Sequence, residues 1–202
     1  MKLLDPEPIL KKSKGPWDYQ QPEFYKFCED SIFLSKHAVK RITSNTNILD
    51  VGAGCGVVGL EIIKRTSFLT QLDCLEIQAE FKPFFEANKK YLKAYDANFI
   101  LGDFSKISLE KKYNLIVSNP PYFSVSGNRL GSCERKNTCR FFLNGDLDDL
   151  LSFFKKHLTP DGTGMFLCRK GQLDGNKLNL SINIIPKDHK TDLVEVFPLD
   201  IE

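Results

Sequence analysis

From Asn47 onward, short apolar segments alternate with segments in which apolar residues recur at helical spacing. This alternation is typical of a parallel sheet whose strands are connected by crossover helices. The last two apolar segments differ, because one alternates apolar with polar residues and the other follows it after a short turn-rich gap, which indicates antiparallel pairing. We therefore predict an α/β fold with a seven-stranded, mostly parallel sheet, an antiparallel last strand and helices on both faces. The predicted strands are NILDVG, QLDCLE, ANFILGDF, YNLIVS, GMFLC, LNLSINIIP and DLVEVF.

The domain organisation is expected to be simple. The chain has 202 residues, 42% of them hydrophobic, and no Pro-, Gly- or Ser-rich stretch long enough to be a linker. Residues 47–202 are predicted to form one α/β domain, and residues 1–46 a helical segment packed on it. Further helices are predicted over EFKPFFEANKKYL, with the body of Tyr91 on its apolar face, and up to Leu158, where TPDG ends the last helix.

Composition excludes several classes of protein. The six cysteines show no C-x-x-C spacing, which argues against a zinc site or a disulfide framework and favours a reducing compartment. No stretch approaches the roughly 18 apolar residues that a membrane span requires. We therefore expect a soluble, cytoplasmic protein without a metal. The net charge of +2 does not by itself indicate a nucleic-acid partner, although KKSK at Lys11–Lys14 and the segment after the fourth strand are locally basic.

Polar residues and glycines stand where the first three predicted strands end, the edge at which open parallel sheets bind ligands. The first strand is followed by Gly52, Gly54 and Gly56 in a G-x-G-x-G turn that opens a helix. Val57 occupies the position of the third glycine of a dinucleotide motif, so an adenosine with an amino-acid tail fits this turn better than a pyrophosphate. The second and third strands end at Glu76, a candidate acceptor for ribose hydroxyls, and at Asp103. Phe104 follows, with a ring that can lie against an adenine, and together these residues predict an adenosine site.

The fourth strand ends in Asn119-Pro120-Pro121-Tyr122. The two prolines lack N–H groups and make a rigid bend that presents acceptors, the Asn119 side-chain oxygen and the Pro120 carbonyl. Two such acceptors can take both hydrogens of a planar NH₂ group and direct its lone pair at an electrophile. The Tyr122 ring offers a face for stacking a planar base or amide. This motif therefore predicts chemistry on an unprotonated, planar amine.

These motifs together resemble class I S-adenosylmethionine-dependent amino-methyltransferases, which carry (Asn/Asp/Ser)-Pro-Pro-(Tyr/Phe/Trp). Within that group the sequence is most similar to the bacterial adenine-N6-methyltransferases that modify an adenine beside the anticodon of a valine tRNA. The similarity extends from about Tyr25 to Phe197, and departures from the family pattern fall at Lys26, Cys28 and Cys139. The segments that carry it are YKFCEDSIFL, DVGAGCGVVGL, SNPPYF and CERKNTCRFFL.

The resemblance implies a Rossmann-like methyltransferase fold, S-adenosylmethionine as cofactor, no metal, and RNA, most simply tRNA, as substrate. It implies that the cofactor tail lies over Gly52–Gly56, including Ala53, with help from Asp50. The ribose would lie on Glu76, the adenine amine on Asp103 and the ring against Phe104, with Asn119 bordering both cofactor and substrate. A target base would be swung out to reach this crevice. The remaining implied residues are Asn119, Pro120 and Tyr122 for catalysis and Tyr122, Phe123, Arg135 and Arg140 for substrate binding.

Several alternatives stay open at this point. A protein glutamine also carries a planar NH₂, although enzymes that methylate it usually have a larger helical domain before the core. Another RNA or DNA base is possible, although DNA methylation usually requires a separate recognition region. A nicotinamide-dependent dehydrogenase needs the glycine turn and Glu76 but not the Asn-Pro-Pro-Tyr motif. A non-catalytic binding module on this fold is the last alternative, and the oligomeric state is left open.

Overall fold

The computed structural model describes residues 19–68, 70–122, 131–173 and 180–199. The basic cluster Lys11–Lys14 and the candidate substrate residue Phe123 lie outside these ranges.

The core is a seven-stranded sheet in the order β3-β2-β1-β4-β5-β7-β6. The five strands from β3 to β5 pair in parallel, and β7 lies antiparallel between β5 and β6. This arrangement confirms the predicted sheet. Because β1 and β4 are neighbours, the strand order reverses between them, and a crevice is expected beyond their carboxyl ends. The strands are β1 Thr46–Val51, β2 Thr70–Glu76, β3 Ala97–Leu101, β4 Tyr113–Ser118, β5 Leu158–Arg169, β6 Leu180–Pro186 and β7 Thr191–Pro198.

Helices cover both faces of this sheet, as predicted. Successive residues of each strand point to opposite sides, so both faces of the sheet carry apolar side chains that helices bury. One hydrophobic cluster joins Ile48 and Leu72 of the strands to the first three helices. The other joins Leu49 and Phe166 to the last helix. The helices are α1 Glu29–Ala38, α2 Val57–Arg65, α3 Lys82–Tyr91, α4 Glu134–Thr138 and α5 Leu147–His157, with 3-10 turns at Val39–Arg41 and Ala79–Phe81.

Helix α1 packs on α2 and reaches the end of β4 and β5. It buries Ile32, Leu34 and Ala38, while Tyr19 ahead of it donates a hydrogen bond to the buried carboxylate of Glu61 in α2 at 2.8 Å. The part of the N-terminal segment that the structure describes thus lies on the core through both apolar and polar contacts.

Two local predictions were wrong. Helix α5 ends at His157, and β5 begins at Leu158, so the TPDG residues lie inside a long strand that pairs Leu158 with Tyr113 before a register shift. Tyr91 is 67% exposed rather than packed on the apolar face of α3. It is the last residue of that helix, and Leu92, one position further, packs on the core instead.

No helix in the described ranges combines the length and the apolar character needed to cross a bilayer.

Candidate active site

A cavity lies beyond the carboxyl ends of β1 to β4, at the point where the strand order reverses. It encloses about 670 Å³ of empty space, part of it open to solvent. Six of the predicted residues line it: Gly52, Gly54, Glu76, Asp103, Phe104 and Asn119.

The glycine turn brings backbone to the cavity wall. Gly52, Gly54 and Gly56 have φ of 69°, 55° and 83°, a left-handed conformation that side-chain-bearing residues rarely adopt. The N–H groups of Gly52 and Ala53 donate to the Leu75 carbonyl at 2.9 and 3.1 Å, which ties the turn to the end of β2. Ala53 and Gly56 do not line the cavity, because Ala53 is buried and Gly56 faces the Phe85 ring in α3.

Glu76 is fixed at the cavity by its own backbone neighbours. One carboxylate oxygen accepts the Gly54 N–H at 2.8 Å and the other accepts the Gln78 N–H at 2.9 Å. Burial raises the pKa of this carboxyl, against the lowering effect of these hydrogen bonds. Each oxygen retains a second lone pair, so Glu76 can accept hydrogen bonds from two neighbouring hydroxyls of a ligand.

Asp50 does not reach the cavity, contrary to its predicted role beside the cofactor tail. Its carboxylate lies beneath the turn and accepts the Gly59 N–H in α2 at 2.8 Å. Gly59 has no room for a side chain, since a Cβ there would lie 2.8 Å from Leu72 and 3.2 Å from Asp50. Asp50 thus anchors the first turn of α2 to β1 and acts on the site only through the turn.

Asp103 lines the cavity, but its carboxylate already has local partners. One oxygen accepts from the Ser105 N–H and hydroxyl at 3.0 and 2.7 Å, and the other forms an ion pair with Lys106 at 3.0 Å. Burial opposes ionisation, yet these contacts lower the pKa, so the group is a fixed anion. Phe104 packs edge-on against Phe153 of α5, with ring centroids 6.2 Å apart.

The Asn-Pro-Pro-Tyr motif borders the cavity on the β4 side. Asn119 and Pro121 line the cavity, whereas Pro120 is buried. The Asn119 amide nitrogen donates to the Ser31 hydroxyl of α1 at 3.1 Å, and its oxygen accepts from the Tyr122 hydroxyl at 2.8 Å. Asn119 is therefore oriented by two hydrogen bonds at the cavity wall.

Tyr122 lies behind Asn119 rather than in the cavity wall. The Arg169 guanidinium covers one face of its ring at 4.5 Å from the centroid, and its hydroxyl contacts Asp30. The stacking face that the sequence predicts is thus occupied on one side by an arginine.

The predicted arginines do not line the cavity either. Arg135 is exposed, lies 5.3 Å above the Phe24 ring and is 4.0 Å from Glu80. Arg140 is exposed as well. Both belong to the segment 131–146, of which residues 138, 139 and 141–144 form a wall of the cavity.

Sequence reasoning missed most of this wall. Its apolar part comes from CRFFL, through Cys139, Phe141 and Phe142, and the run of aromatics was the available signal. Tyr25 and Phe81 also line the cavity and pack edge-on with centroids 5.2 Å apart.

Gln78 also lines the cavity, with its amide nitrogen donating to Cys139 Sγ at 3.3 Å. Its amide oxygen is buried and has no hydrogen-bond partner among the described residues. A buried acceptor without a partner is unfavourable, so this oxygen suits a ligand that carries a donor. Among the described residues no group of three or more His, Cys, Asp or Glu could hold a metal ion.

Comparisons with known proteins agree with this architecture. Residues 28–133 match the model of the methyltransferase small domain family. The chain is 34% identical over 167 residues to the tRNA1(Val) (adenine(37)-N6)-methyltransferase of Actinobacillus pleuropneumoniae serotype 5b, covering 78% of this chain and 67% of that one. It is 35% identical over 119 residues to a release factor glutamine methyltransferase of Fusobacterium nucleatum, covering 57% of this chain and 33% of the relative.

A solved structure has the same fold. TrmN from Thermus thermophilus superposes with a TM-score of 0.62 at 13% identity, covering 84% of this chain and 48% of that one. The chain spans about half the length of several curated tRNA methyltransferases that it matches.

Proposed function

Because the chain belongs to the methyltransferase small domain family, we propose that it methylates the exocyclic N6 of an adenine in tRNA with S-adenosylmethionine as donor. The observation that carries this proposal is the cavity that joins four strand ends. It brings the glycine turn, Glu76, Asp103 and Asn119 to one space. A cofactor site and an amine-positioning residue in the same cavity are what transfer between two bound molecules requires.

The residues of the cavity fit S-adenosylmethionine. The Glu76 carboxylate, with its free lone pairs, would hold the ribose hydroxyls, and the exposed Gly52 backbone lies where the amino-acid tail would approach. Asp103 and the Gln78 oxygen, which no described residue contacts by a hydrogen bond, are acceptors for the adenine amine, and Phe104 and Phe141 offer apolar contact. When bound, S-adenosylmethionine supplies a methyl group on a positively charged sulfur that is already a good leaving group.

The protein's part in the transfer is positioning. The Asn119 side-chain oxygen and the Pro120 carbonyl would each accept one hydrogen of the target NH₂ group. These contacts favour the form of the nitrogen whose lone pair is no longer delocalised into the ring. Electrostatic positioning of this kind typically contributes about 10²–10³-fold to rate for each donor or acceptor. Attack of the nitrogen on the methyl carbon would form the N–C bond as the C–S bond breaks. The sulfur would leave as a neutral thioether, and the methylated nitrogen would then release one proton to water.

The choice of tRNA adenine rests on the relatives. The Actinobacillus protein is named for this reaction and aligns with more than three quarters of the chain. A base held within folded RNA would have to be swung out to reach the cavity. Exposed cations of the segment 131–146, Arg135, Lys136 and Arg140, are available to phosphates near its rim.

The substrate class is tested by offering methyl-labelled donor with unmodified tRNA, rRNA, DNA and protein extract in separate reactions. We expect label in tRNA, recovered as N6-methyladenosine after digestion. Label confined to rRNA or DNA would overturn the substrate assignment, and no label in any polymer would overturn the proposed function.

A protein glutamine is the second candidate, because a release factor glutamine methyltransferase is 35% identical over 119 residues. Its side-chain NH₂ is planar and fits the same two acceptors. Label recovered in methylglutamine, with none in tRNA, would establish this alternative.

A further inference from the structure

Helix α1 supports the Asn-Pro-Pro-Tyr motif through two adjacent polar residues. Ser31 accepts the Asn119 amide N–H at 3.1 Å. Asp30 lies with Oδ2 at 2.9 Å from the Tyr122 hydroxyl oxygen. These contacts join residues 88 and 92 positions apart in the chain, so the N-terminal helix is part of the surroundings of the candidate amine site.

The Tyr122 hydroxyl has two acceptors and one hydrogen. It lies 2.8 Å from Asn119 Oδ1 and 2.9 Å from Asp30 Oδ2, and a phenol can donate only one hydrogen at a time. Asn119 Oδ1 is also the acceptor that the target amine needs. The two acceptors around Tyr122 therefore compete. Asn119 Oδ1 has two lone pairs, so a hydrogen bond from Tyr122 occupies one of them, and the outcome decides whether both are open to a substrate amine.

Asp30 is held as an anion. Its other oxygen is 2.7 Å from Lys187 Nζ in the turn between β6 and β7. Burial raises the pKa of the carboxyl, but the contacts with Lys187 and Tyr122 outweigh it and lower the pKa overall. A hydrogen bond to a charged acceptor is roughly twice as strong as one to a neutral amide, so Asp30 is the stronger competitor for the Tyr122 hydrogen.

Tyr122 is restrained on its other sides as well. Arg169 covers its ring, and Gln172 donates to its carbonyl at 3.0 Å. The ring cannot simply turn away from Asn119 to release it. The hydroxyl hydrogen can instead rotate about the C–O bond and point toward Asp30, and this is the change that the described contacts allow.

We propose that Asp30 is a positioning residue that orients the Tyr122 hydroxyl hydrogen away from Asn119 Oδ1 and so leaves both lone pairs of that oxygen open to the substrate amine. This inference rests on the proposed function for its catalytic consequence. The hydrogen-bond exchange itself can be measured without methyl transfer.

The direct test is NMR of the Asn119 side-chain amide, assigned by its loss in Asn119→Ala. Asp30→Leu removes the competing acceptor at similar volume, and we expect it to shift this resonance because the Tyr122 hydroxyl then donates to Asn119. Adding Tyr122→Phe should abolish the difference, so that the double variant matches Tyr122→Phe alone. An Asn119 resonance that is unchanged in Asp30→Leu would overturn the proposal.

The kinetic test is a double-mutant cycle. We expect Asp30→Leu to lower the transfer rate at least about tenfold, Asp30→Asn to lower it less, and neither to change the dissociation constant of S-adenosylmethionine more than about threefold. In the Asp30→Leu background, Tyr122→Phe should restore the rate to that of Tyr122→Phe alone. Losses that simply multiply would show a structural role and contradict the proposal.

Asp188→Asn is the matched control. Asp188 also contacts Lys187, at 2.8 Å, but it has no described contact with Tyr122. For Asp188→Asn we expect the wild-type transfer rate and an unshifted Asn119 resonance. A loss of transfer rate equal to that of Asp30→Asn would contradict the assignment to Asp30. A wild-type protein that transfers no methyl to any polymer would overturn the proposed function alone, because the NMR result still decides the hydrogen-bond exchange.

Discussion

Asp50 and Glu76 are buried carboxylates on neighbouring strands, and each accepts hydrogen bonds from backbone N–H groups of the glycine turn or the helix after it. Burial raises the pKa of both, and a nearby anion raises each further, Glu76 acting on Asp50 and Glu80 on Glu76. For Asp50 the pKa rises to about 7. At the residue scale, two buried carboxylates thus support the site, and the charged form of each lowers the free energy of unfolding.

This effect predicts a pH dependence. An unfolded aspartate has a pKa of about 3.9, so between about pH 4 and the folded pKa near 7 the folded protein retains a proton that the unfolded chain has released. The free energy of unfolding should therefore fall as pH rises across this window, by a few kcal/mol from Asp50. Asp50→Asn keeps an acceptor for Gly59 and removes this titration. Urea unfolding across the same window should show a flatter profile for Asp50→Asn, and parallel profiles would contradict the assignment.

At the scale of elements, Gly56 is the junction between β1, α2 and α3. It caps α2 with φ of 83°, and a Cβ there would lie 2.7 Å from the Phe85 ring of α3. The turn can therefore hold Gly54 and Gly52 at the cavity only while α3 packs directly on backbone. Gly56 therefore affects both the packing of α3 and the geometry of the cavity.

Replacing Gly56 by alanine should combine backbone strain with a clash. Gly171 provides the control, since it has φ of 78° but no atom of the described residues within 4 Å of the position that a Cβ would take. We expect Gly171→Ala to destabilise by about 1 kcal/mol through strain, and Gly56→Ala by about 1–3 kcal/mol more through overpacking. Denaturant unfolding measures both, and equal losses would show that Phe85 yields without penalty.

At the scale of the whole molecule, the sequence predicts which strands are parallel and which antiparallel, because apolar segments alternate with helical ones and this pattern changes for the last two strands. The first four strands also end in recognisable polar or glycine signals. The sequence therefore also predicts that Gly52, Glu76, Asp103 and Asn119 share one edge of the sheet. It does not reveal that Asp50 turns under the glycine turn, since a strand end does not specify which way a side chain points. The start of β5 was misplaced because its pairing with Tyr113, a distant contact, overrides the turn signal of TPDG.

The sequence did not predict the cavity wall from 131 to 146 either, because this wall also depends on distant contacts. Its position depends on tertiary contacts such as that of Gln78 with Cys139, 61 positions apart, while the hydrogen bonds of Asn137 with Gly131 at 3.0 and 2.7 Å fix its local shape. The resemblance pointed to the arginines of this segment, but the cavity is lined by the buried Phe141 and by half-buried residues at 138, 139 and 142–144. The Tyr122 hydroxyl network is equally tertiary, because Asp30 and Lys187 come from opposite ends of the chain.

Cofactor binding is assigned to Glu76 and amine positioning to Asn119, so the two functions should be separable. The most direct test is the rate of methyl transfer by Asn119→Ala, in protein whose affinity for S-adenosylmethionine is determined by calorimetry alongside Glu76→Ala. We expect Asn119→Ala to bind the cofactor within about threefold of wild type and to lose at least about 100-fold in transfer rate, while Glu76→Ala loses affinity at least about tenfold. Transfer by Asn119→Ala at a rate near that of wild type would contradict the central claim.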